Sequence, residues 1–72
     1  MEQPGEDVEV GPHGIRLGQL LKLVGVAETG GAAKELLADG AVLVDGVVET
    51  RRGAQLQPGT VVTVGEESWT LR

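Results

Sequence analysis

The sequence predicts an α+β domain: two packed helices followed by a small, mostly antiparallel β-sheet. Three observations point there. Apolar residues recur on one helical face at Leu17, Leu20, Leu21 and Val24, and again at Ala33, Leu36 and Leu37 with Gly40 as a stop. Valine-rich runs then flank Asp45-Gly46, a dipeptide suited to a two-residue hairpin turn. A further valine run, residues 61–64, follows the turn signal Pro58-Gly59.

Taken in order, residues 1–14 read as an acidic N-terminal tail, and residues 15–72 as the domain proper. Pro4-Gly5 marks the first six residues as mobile, and the alternation Asp7-Val8-Glu9-Val10 suits a short edge strand. Gly11-Pro12-His13-Gly14 forms a turn. Arg16 opens helix one, Gln19 and Lys22 project from its polar side, and Gly25 caps its C-terminus. Gly18 weakens this helix by about 1 kcal/mol relative to alanine without changing its period. Thr29 is the N-cap of helix two, its hydroxyl accepting from a first-turn amide. Lys34 and Glu35 lie off the apolar stripe. After the hairpin, residues 49–56 read as a polar connection carrying Arg51-Arg52. Gly65-Glu66-Glu67 turns the chain into a last strand, Ser68-Trp69-Thr70-Leu71.

Composition narrows the chemistry. A chain of 72 residues holds one domain and buries about 60% of its unfolded surface. The absence of cysteine removes disulfides and thiolate metal sites. No apolar run approaches the roughly 20 residues that span a bilayer, and the acidic N-terminus is no signal peptide. A cytoplasmic protein without a membrane partner is expected. The net charge is −5, of which Glu2, Glu6, Asp7 and Glu9 contribute −4 from residues 1–14. The remaining 58 residues carry seven acids against six basic residues, so the domain itself is close to neutral.

Catalysis has little to work with. His13, the single histidine, sits in a Gly-Pro turn, where a solvated imidazole is the simpler reading than a general base. Glu66 and Glu67 are adjacent and point to different sides, so they make no acid/base pair. Gly30-Gly31 could admit an anion at a helix start, but phosphate-loop spacing is absent. No enzyme activity, metal or cofactor is expected. The basic residues Arg16, Lys22, Lys34, Arg51 and Arg52 remain, read either as solvated surface charges or as a converging phosphate-contacting set.

Arg16-Leu17, Gly25, Thr29, Ala33, Leu36-Leu37, Gly40, Val42, Val44-Asp45-Gly46 and Pro58-Gly59 resemble the S-four type RNA-binding domain, the α-L motif. That pattern runs Arg-Leu-Asp, Gly, Ser-Arg, Ala, an apolar pair, Gly-x-Val-x-Val-Asn-Gly and Pro-Gly-Asp, and it overlies residues 16–64 without a gap. The chain looks most like the stand-alone bacterial, YbcJ-like subgroup. The resemblance implies a monomeric module for structured RNA, ribosomal or transfer, or for a ribosomal particle. It implies RNA-binding roles for Arg16, Lys22, Thr29 and Lys34 on the helices and for Arg51 and Arg52 on the loop. With Trp69 as the only aromatic residue there is no base-stacking platform, so backbone and shape would be recognised. Two departures stand out: Gly18 replaces the pattern's aspartate, and Gly30 replaces its arginine. Losing that arginine predicts weakened RNA binding. The alternative is a protein-interaction module that keeps the fold without RNA binding.

Overall fold

The computed structural model describes residues 6–72. Two short helices pack on one face of a five-stranded sheet, and a separate two-stranded ribbon joins the start of the first helix to a distant loop. Strand β1 (Glu6–Val8) lies parallel to the last strand, an edge position that takes up the first described residues. Of the mobile stretch expected at residues 1–6, residues 1–5 lie outside the described residues, and Glu6 is instead held in β1 by pairing with Trp69.

Strand β2 (Ile15–Arg16) leads directly into helix α1 (Leu17–Leu23). Arg16 is therefore the extended N-cap residue, not the first helical one. Its amide donates to Gln19 Oε1 at 3.3 Å, which ties the cap to the third helical residue. Helix α2 (Gly30–Ala38) begins as expected, with Thr29 Oγ1 accepting from the Ala32 amide at 3.0 Å. Both helices end in paired backbone bonds of the Schellman type. Gly25 and Val26 donate to Lys22 and Leu21, and Gly40 and Ala41 donate to Leu37 and Leu36.

Strands β3 (Val42–Val44) and β4 (Val47–Val48) make the hairpin, in register at Val44↔Val47. Asp45 and Gly46 have φ of 51° and 84°, the two positive values that a type I′ turn requires. Strand β5 (Gln55–Leu56) was not expected. The stretch read as a polar connection pairs antiparallel with β2 at Ile15↔Leu56 and Arg16↔Gln55. Strands β6 (Val61–Val64) and β7 (Glu67–Leu71) complete the main sheet, in the order β1-β7-β6-β3-β4. Glu67 belongs to β7, not to the preceding turn, because it pairs with Val64.

Alternation along the strands sends Val42, Val62, Trp69 and Leu71 inward, where Leu17, Leu20, Leu21, Ala33 and Leu37 of the helices meet them. Leu56 and Ala54 close the core beneath the ribbon. Trp69 packs here as a core residue, and no polar side chain is buried among the described residues.

Candidate nucleic-acid interface

The turn from Arg51 to Ala54, closed by the Ala54 amide donating to the Arg51 carbonyl at 3.2 Å, is clamped onto the start of α1. The Leu17 amide donates to the Ala54 carbonyl at 2.9 Å, and the Gly18 amide to the Arg52 carbonyl at 2.8 Å. First-turn amides that have no partner within the helix are thus satisfied by a loop far away in sequence. Pairing of β2 with β5 holds the same junction from the other side.

These contacts create a cleft of about 360 Å³ lined by Arg16, Gly18, Gln19, Lys22, Gly30, Arg52 and Gly53. Gln19 and Lys22 are three residues apart on one helical face and share it with the N-cap Arg16. The Arg52 side chain crosses from the loop toward α2, its Nη1 donating to the Gly30 carbonyl at 3.5 Å. Three cationic side chains therefore converge on one concavity, and none of its lining residues is a carboxylate. Such a lining concentrates positive charge within a chain of net charge −5.

The other expected site residues lie elsewhere. The Thr29 hydroxyl is occupied as the α2 cap. Lys34 is exposed on α2, outside the lining. Arg51 forks onto Glu49, with Nε to Oε2 at 3.1 Å and Nη2 to Oε1 at 3.2 Å. Backbone amides of Thr50 and Arg51 also donate to Glu49 Oε2, and the Arg51 guanidinium is the first cause that lowers the Glu49 carboxyl from 4.5 to about 2. Arg72 pairs with Asp7 across β7 and β1 at 2.7 Å. Gln19 was not expected as a site residue, though its place on the polar face with Lys22 was the available signal. His13 contributes its backbone carbonyl, which accepts from Gln55 Nε2 at 2.9 Å.

Two packed helices set against a mostly antiparallel sheet, with a basic cleft where the helix starts meet a loop, define a small α+β domain of the α-L type. The chain belongs to the S4 domain family, whose model matches residues 8–72. It is 44% identical over 57 residues to YbcJ of Escherichia coli (strain K12), covering 79% of this chain and 80% of that protein. It is 46% identical over 50 residues to "Probable ribosome maturation protein RlbA" of Bacillus subtilis (strain 168), covering 69% and 70%. The solution structure of E. coli YbcJ, described as revealing an α-L motif involved in RNA binding, superposes with a TM-score of 0.71. That match has 35% identity and covers 99% of this chain and 91% of YbcJ.

Proposed function

We propose that this chain is an RNA-binding module that grips the phosphate backbone of structured RNA in the cleft between α1, α2 and the 51–54 turn. The convergence of Arg16, Lys22 and Arg52 on a concavity free of lining carboxylates carries this reading. The relatives support it: the α-L motif of YbcJ is described as involved in RNA binding, and RlbA is named for ribosome maturation. A ribosomal RNA or ribosomal precursor is accordingly the favoured target, bound by a monomer in the cytoplasm without a catalytic step.

Charged contacts of this kind leave a measurable trace. Each neutralised phosphate contributes about 0.7–0.9 to the log–log salt slope, so three contacts give a slope of roughly −2 to −3. Affinity should fall by about 20–40-fold between 50 and 200 mM salt on that slope. Fluorescence titration of a ribosomal RNA stem-loop with the Arg16→Glu, Arg52→Glu double variant should show weak binding and a slope near −1. Wild-type slope and affinity in that variant would remove the cleft from the interface.

One observation favours a second reading. Val47 and Val48 of the edge strand β4 are 68% and 51% exposed, an arrangement suited to strand addition by a protein partner. Capture of a protein that survives nuclease treatment and is lost on Val48→Lys would support it.

A further inference from the structure

Arg52 lies in a seat made by the absence of two side chains. A Cβ added at Gly18 would run into Arg52 Cγ and come within 3.2 Å of Cδ. A Cβ added at Gly30 would stand 3.3 Å from Arg52 Nη1. The aliphatic stem of Arg52 therefore lies across α1 where it is bare, and its guanidinium ends at the first residue of α2, where it reaches the Gly30 carbonyl. Gly18 and Gly30 are also among the positions at which this chain departs from the S-four pattern, the second of them by losing an arginine. The missing charge and the open space coincide.

We propose that Gly18 and Gly30 form a seat that positions Arg52 as the phosphate-contacting guanidinium at the start of α2, so that a loop arginine supplies the charge that the first residue of helix two lacks. The inference rests on the RNA-binding reading above and adds to it a reason for both glycines. Gly18 is then required for its vacancy, since alanine would favour the helix by up to about 1 kcal/mol. Arg51, the residue before it, is directed away to a bidentate pair with Glu49 and does not line the cleft.

Five variants test the seat against a ribosomal RNA stem-loop, each first checked for wild-type folding by its amide NMR spectrum and thermal midpoint. Gly18→Ala leaves every charge in place but displaces the Arg52 stem. It should weaken binding by about three- to tenfold and reduce the salt slope by about 0.7–0.9, matching Arg52→Ala. The two changes together should cost no more than either alone, because both remove one contact. Moving the charge, with Gly30→Arg combined with Arg52→Gly, should recover most of the affinity that Arg52→Gly loses. Wild-type binding by Gly18→Ala, or losses that simply add, would overturn the seat. If Arg16→Ala and Lys22→Ala still weaken binding in that event, RNA recognition by the cleft stands without it. If neither of them does, both proposals fall.

Discussion

Among neighbouring residues, Arg51 and Arg52 divide the work of a single basic pair. The backbone of the 51–54 turn sends one side chain to Glu49 and the other over Gly18, so adjacent identical residues face different partners. Glu49 reports this division through its proton. Its carboxyl, lowered to about 2 by the Arg51 guanidinium and two backbone amides, stays ionised well below the usual 4.5. A group lowered in the folded chain stabilises above its unfolded value and loses that contribution as pH falls through the folded one. The Glu49–Arg51 clasp should therefore persist through pH 4 and open near pH 2. Side-chain carboxyl NMR should give a Glu49 midpoint close to 2, returning toward 4.5 in Arg51→Ala. A wild-type midpoint near 4.5 would show that the clasp does not form in solution. The sequence could identify Arg51-Arg52 as candidates, but which one entered the cleft depended on turn geometry that carries no pattern in residue type.

Elements with local signals were legible, and elements defined by distant partners were not. Thr29 announced α2, Gly25 and Gly40 announced the helix ends, and Asp45-Gly46 announced the hairpin, because each is a solution to a local hydrogen-bonding or φ requirement. Strands β2 and β5 are two residues each, too short for any alternation, and exist only because Ile15 meets Leu56. That ribbon is nonetheless what brings Arg16 beside the Arg52 turn. Gly14 makes it feasible: φ is +77°, and a Cβ would collide with the Leu56 carbonyl. Gly14→Ala should cost about 1–3 kcal/mol from backbone strain alone, measurable by urea unfolding. Because the strain falls on the ribbon, RNA affinity should drop in the same variant. Stability and affinity equal to wild type would mean that the ribbon does not govern the site.

For the whole molecule, the question is how an acidic chain could hold a polyanion. The fold answers by separating charge. Asp7 is paired with Arg72 at the β1–β7 edge, Glu49 is paired with Arg51, and the cleft gathers Arg16, Lys22 and Arg52. With a screening length of about 8 Å at physiological salt and a longest dimension of 31 Å, a phosphate bound in the cleft would respond to the cleft far more than to the net charge. The most direct measurement is an amide NMR titration of isotope-labelled protein with a structured ribosomal RNA fragment at two salt concentrations. Shifts grouped on residues 16–22, 30 and 52–53, and shrinking as salt rises, are expected. Shifts confined to Val47 and Val48, or none at low salt, would contradict phosphate recognition by this cleft.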